Sequence, residues 1–312
     1  MLKHKHHYVN RFYLQPWTRD GKIACWLRGK IVQPSLDGVA NQRDFYEVPD
    51  LQPEDVTVIR RAVIDKASPG LRPIFEELLE KYTTVGQAHR LLVGNEKVPD
   101  RIQHAARADK ANLDENYHAA IEGDLHFPLR EMREGRTDFF RDDEIVGPFF
   151  RAISLQYLRT KNMRVAINRH VGVPVAGADM DRIWIPMIHM LAMNVGESLF
   201  RERSKLRLQV LQSPPEVSFI TGDQPVVNII EDRGEMDIPK DLELYYPVSP
   251  SRAMVMVHEW TPLKSAAPSL TVPQVQAYNR RIVENYHEQF YGKSVESLED
   301  WTSLALLAGD WS

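Results

Sequence analysis

Between residues 52 and 204 the chain carries almost unbroken helical spacing, and strand-like segments occur only before and after that block. Apolar residues recur at three- and four-residue intervals in RPIFEELLEKY, ADKANLDENYHAAIEGDLHFPLREMREG, DDEIVGPFFRAISLQYLRTKNMR and RIWIPMIHMLAMNVGESLFRERSK, the period of an amphipathic helix. The last segment is apolar around most of its circumference, which predicts a central packing position. On the amino-terminal side, KIACWLR (22–28) and RDFYEV (43–48) have strand-like content with the turn former SLDG between them. After Leu206 the pattern returns to short strands, LRLQVLQ, EVSFITG, ELYYPVS and RAMVMVHEW, and a final helix is expected from Val272 to Phe290. Strands, helices, strands and a helix are not a regular βα alternation, so the expected class is α+β. The simplest architecture is one compact unit over 1–312. Its parts 1–50 and 205–312 form a mainly antiparallel sheet, and 52–204 is a large helical insertion.

Composition narrows the function classes. A net charge of -4 gives no basic field for nucleic acid or an anionic membrane surface, so any such binding must be local. The single cysteine, Cys25, cannot form an internal disulfide or a thiolate cluster, and the expected setting is cytoplasmic. The most apolar stretch, Ile183 to Phe200, is interrupted by Pro186, His189, Asn194, Glu197 and Ser198. It is expected to be a buried helix rather than a membrane span. The amino terminus lacks the uninterrupted apolar run of a secretory signal. The chain also lacks a Lys-Ser/Thr phosphate loop, a dinucleotide fingerprint, a His-Glu-x-x-His pair and a Cys-x-x-Cys pair. Asp179 and Asp181 lack a calcium-loop context and suggest a helix cap.

The densest functional segment is KHHYVNRFYLQPW, Lys5 to Trp17. As a helix it would put His7, Arg11 and Gln15 on one face and His6, Asn10 and Tyr13 near them; as a strand, His7, Arg11 and Tyr13 would share a side. Either way it gathers imidazole, which moves protons or binds metals, with guanidinium, which grips phosphate or carboxylate. The structural alternative is that the aromatics are core and the polar groups merely satisfied. In FITGDQPVV, Asp223 stands at a strand end, where a turn holds a carboxylate toward a cleft or else uses it on backbone amides. Gln156 and Arg159 stand three apart on a largely apolar helix, so inward placement demands a partner or a ligand; Glu122 could supply a buried ion pair, the alternative being an anion-binding site.

These segments resemble the domain of unknown function 4238 family, a largely bacterial group. KHHYVNRFYL is similar to its Lys-His-His-Tyr-Val-Pro opening, with Asn10 in place of the proline. RDFYEV, IEGD around Glu122, LQYLRT, FITGDQPVV and YPVSP resemble its further motifs in the same order. The resemblance implies no established activity, but His6, His7, Arg11, Glu122, Gln156, Arg159 and Asp223 all fall inside its motifs.

Two functions fit these parts. In the first the protein is a hydrolase of phosphodiester, nuclease-like type. Asp223 and Glu122 hold a divalent metal or act as base, His6 or His7 shuttles a proton, and Arg11 or Arg159 neutralises phosphate. In the second it is a non-catalytic binding protein for a nucleotide or other small anionic ligand, clamped by Arg11, Gln156 and Arg159 and stacked on by Tyr13. Both require the His-His segment and Asp223 to converge in space.

Overall fold

The computed structural model describes residues 5–43, 48–161, 163–165, 176–230, 242–261 and 268–308. Strand β1 (Lys5–His7) leads to a one-turn helix α1 (Arg11–Leu14), then to β2 (Thr18–Arg19), β3 (Lys22–Leu27), β4 (Lys30–Val32) and β5 (Asn41–Arg43). The helical block follows as α2 (Pro53–Ile59), α3 (Arg72–Leu92), α4 (Asp100–Arg133), α5 (Asp143–Leu158) and α6 (Met180–Arg201). The chain then forms β6 (Leu206–Gln212), β7 (Thr221–Gly222), β8 (Val227–Asn228), β9 (Glu243–Ser249), β10 (Arg252–His258), helix α7 (Val272–Asn285) and β11 (Gln289–Gly292). Helices α8 (Glu296–Glu299) and α9 (Thr302–Ala308) complete it. The class is α+β with antiparallel sheets, as the order of segments predicts. Residues 44–47 of the expected RDFYEV strand lie outside the described residues.

The expected single sheet is divided in three, the smallest being the β1–β5 pair. Strands β6, β10, β9 and β8 form one sheet in that order, while β2, β3, β11 and β7 form another, with β4 alongside β3. The early ribbon does reach the late part of the chain, but through β11, which pairs antiparallel with both β3 and β7. Sequence periodicity assigns faces but not partners, and two features redirect the pairing. The expected EVSFITG strand shortens to Thr221–Gly222, after which Asp223 turns inward and Pro225 has no amide to donate. The expected final helix stops at Asn285, and its last residues become β11.

Strands β9 and β10 are buried on both faces, which explains their dense apolar content. Tyr246, Val248, Met254 and Met256 face a core shared with α4 and α5. Their alternate neighbours Tyr245, Ala253, Val255 and Val257 face a second core shared with α7 and Trp26 of β3. This period of two is that of a pleated strand. A third core joins α2, α3 and α6. Helix α6 is the one helix among the described residues long and apolar enough to cross a membrane, yet 56% of that window is buried inside the protein. Its Gly196 lets α5 approach closely, because a Cβ there would stand 2.9 Å from the Arg151 Cα.

Asp55 ties two helix starts together. Its carboxylate accepts the Gln52 amide (2.9 Å), the Asp179 amide (2.9 Å) and the Arg182 Nε (2.6 Å), while Asp179 caps α6 by accepting the Asp181 amide. Burial alone would raise the Asp55 carboxyl, but Arg182 and the two amides hold it below its ordinary value. Its stabilising contribution is therefore present above the unfolded value of about 3.9 and is lost as pH falls through the lower folded value. Asp55→Asn should cost about 3 kcal/mol at neutral pH, the scale of breaking a buried charged pair. Urea midpoints at pH 7 and pH 3 should show that difference shrinking in acid.

Candidate functional site

The His-His segment is neither one helix nor one strand. β1 pairs with β5, His6 opposite Gln42 and His7 opposite Asn41; the side chain of His6 lies outside what is described. The change of direction comes at Asn10, which has φ -61° and ψ 133° and accepts the Phe12 amide as the N-cap of α1. That φ is one a proline would hold, while asparagine adds a side-chain amide. This amide donates to Glu122 Oε2 at 2.9 Å.

The later half of the first segment meets the strand before Asp223. The Tyr13 hydroxyl meets Thr221 Oγ1 at 2.5 Å, and Trp17 Nε1 donates to the Phe219 carbonyl at 3.0 Å. The side chains nominated from sequence are, however, used differently. Asp223 is buried and accepts the backbone amides of His287, Glu288 and Gln289 at 2.8, 2.7 and 2.9 Å. Burial raises its carboxyl above the ordinary value against the pull of those amides. It shapes the turn from α7 into β11 rather than facing a cleft. Tyr13 is wholly buried and stacks on Tyr246 at 4.8 Å, so it offers no face to a ligand. Arg11 is exposed and pairs with Asp37 at 2.9 Å.

What gathers instead is a polar chain around α4. Arg159, the C-cap of α5, has only 1% of its side chain exposed and donates to Glu122 Oε1 at 2.6 Å and to Gln156 Oε1 at 2.8 Å. Gln156 in turn donates to the Tyr8 carbonyl at 3.3 Å. Glu122, 22% exposed, thus has one oxygen on Arg159 and the other on Asn10. Behind Arg159, its Nη1 lies 3.3 Å from His118 Nδ1. His118 Nε2 lies 2.9 Å from Asp114 Oδ2, and His189 Nε2 lies 2.7 Å from Asp114 Oδ1. Tyr82 also donates to Asp114.

Asp114, His118, Glu122 and His126 are successive fourth residues of α4, so they form one stripe running from the interior to the surface. Phe12 of α1 lies over its outer end, with its ring 4.3 Å from that of His126. Burial pushes the His118 imidazole down to about 3, keeping it neutral. Burial opposes charge on Asp114, but the facing His189 and His118 hold its carboxyl well below the ordinary value. The four-residue repeat is visible in the sequence, as is His189 within an apolar helix. Neither is as dense in functional side chains as the amino-terminal segment. The shallow surface depressions at Thr137–Glu259, at α2–α3 and beside Lys22 lie away from this chain of groups.

Residues 5–296 match the family described as protein of unknown function (DUF4238), and the chain belongs to that family. No curated protein and no solved structure matches it. Asp223→Ala should lower stability by about 3 kcal/mol, since it strands three amides, that of Gln289 buried and those of His287 and Glu288 half-buried. Arg11→Ala should change it by less than about 1 kcal/mol, as befits an exposed pair. Urea unfolding of the two variants measures both.

Proposed function

We propose that this protein is a hydrolase of phosphodiester type whose reacting carboxylate is Glu122. The observation that carries this is the seating of Glu122: both oxygens are fixed, by Asn10 and by the buried Arg159, while the side chain stays partly open to solvent. A carboxylate oriented at no further cost is suited to general-base work. His126, one turn along the same helix, supplies an exposed imidazole for proton transfer. Arg11 is the cation available to a phosphate, because its exposed pair with Asp37 is weak enough to surrender. A divalent metal is admitted as a helper at Glu122, and a cytoplasmic setting accords with the single buried cysteine.

The geometry favours hydrolysis over a non-catalytic anion clamp. Gln156, Arg159 and Tyr13 are each about 1% exposed or less, and Arg159 already carries a carboxylate. Purified protein incubated with RNA, DNA and bis(p-nitrophenyl) phosphate, with Mg²⁺, Mn²⁺, Zn²⁺ or chelator, tests the proposal. Glu122→Gln should lower turnover at least about 100-fold and His126→Ala about 10- to 100-fold, with circular dichroism unchanged. Hydrolysis no faster than buffer, or a Glu122→Gln variant as fast as wild type, would refute the proposal.

A further inference from the structure

We propose that Asp114, His118 and His189 form a binding site for a divalent first-row transition-metal ion inside the helical block, separate from Glu122 and independent of the hydrolytic reading. One ligand atom from each lies within 4.8 Å of the others, and all three residues are buried. Two come from α4 at four-residue spacing and the third from α6, the way metal sites are built in the cores of helix bundles.

A second observation points to a ligand. His118 Nε2 stands 2.9 Å from Asp114 Oδ2 and His189 Nε2 stands 2.7 Å from Asp114 Oδ1, so both imidazoles turn the same ring atom toward one wholly buried carboxylate. With the ring protons moved to the other nitrogens, these same atoms would present lone pairs to a shared ion. Two imidazoles and a carboxylate suit zinc and its neighbours. Tyr82 donates to the carboxylate from outside the set and orients it, as outer partners of metal ligands do.

Proton positions decide how the ion enters. Guanidinium only donates, so His118 Nδ1 accepts from Arg159 and the ring proton sits on Nε2 in the metal-free protein. His189 donates from Nε2 to Asp114, and its buried Nδ1 has no hydrogen-bond partner among the described residues. Coordination through both Nε2 atoms moves each ring proton to Nδ1, with no net proton released. For His189 this breaks no bond at Nδ1. For His118 it gives up the 3.3 Å contact with Arg159, which stays seated on Glu122 and Gln156. Arg159 therefore opposes loading. With side chains 0–3% exposed, the ion would join α4 to α6 rather than meet a substrate.

The untagged full-length chain should retain one equivalent of Zn²⁺ after dialysis, by elemental analysis. Its melting temperature should rise by several degrees with excess Zn²⁺, as binding to the native state alone requires, and fall back with chelator. Both effects should be lost in His189→Gln. Co²⁺ loading of the wild type should give visible absorption bands of a low-coordinate site, a readout that needs no variant. Arg159→Gln, which replaces a donor by a group that can accept from Nδ1, should bind Zn²⁺ more tightly. A wild-type protein that retains no stoichiometric metal and shows no shift with Zn²⁺, or one whose response equals that of His189→Gln, overturns the proposal.

Discussion

A guanidinium sealed inside a protein must be answered by charge, and Arg159 sets the terms for everything around it. It donates to the Glu122 carboxylate at 2.6 Å, which draws α4 and the end of α5 together. Because Glu122 is shared with Asn10, the same pair fixes where the amino-terminal segment leaves β1 and begins α1. Because Arg159 also faces His118, the pair reaches Asp114 and His189, and so α6. One buried cation thus connects the first residues of the chain with three helices of the central block.

The sheets are arranged around that connection. Arg133, near the end of α4, donates to the Val248 carbonyl of β9 and to the Phe12 and Tyr13 carbonyls of α1, satisfying groups that a helix end leaves open. Tyr13 then stacks on Tyr246 and reaches Thr221, so α1 is held between the four-stranded sheet and the strand before Asp223. The apolar cores on either side of β9 and β10 supply the burial. The polar chain supplies the specificity of placement.

Periodicity made the helical block, the double-faced strands and the cap at Asp179 legible, because each depends on residues near one another in sequence. Pairing Gln156 and Arg159 with Glu122 was legible too, since polar groups on an apolar helix need partners. Asp223 was not: a Gly-Asp-x-Pro turn has the same local chemistry whether its carboxylate faces a cleft or the amides of residues 287–289. The division into separate sheets was hidden for the same reason, as strand partners are set by long-range packing. Asn10 shows the reverse case. A single residue there combines a backbone φ of -61°, a cap on α1 and a contact to Glu122 that lies 112 positions away.

The coupling between Arg159 and Glu122 is the most direct measure of this account. A double-mutant cycle with Arg159→Met, Glu122→Gln and the combined variant, followed by urea unfolding, should give an interaction energy of about 2 kcal/mol or more. An interaction energy near zero would mean that the two groups do not depend on each other, and the centre built on them would not stand.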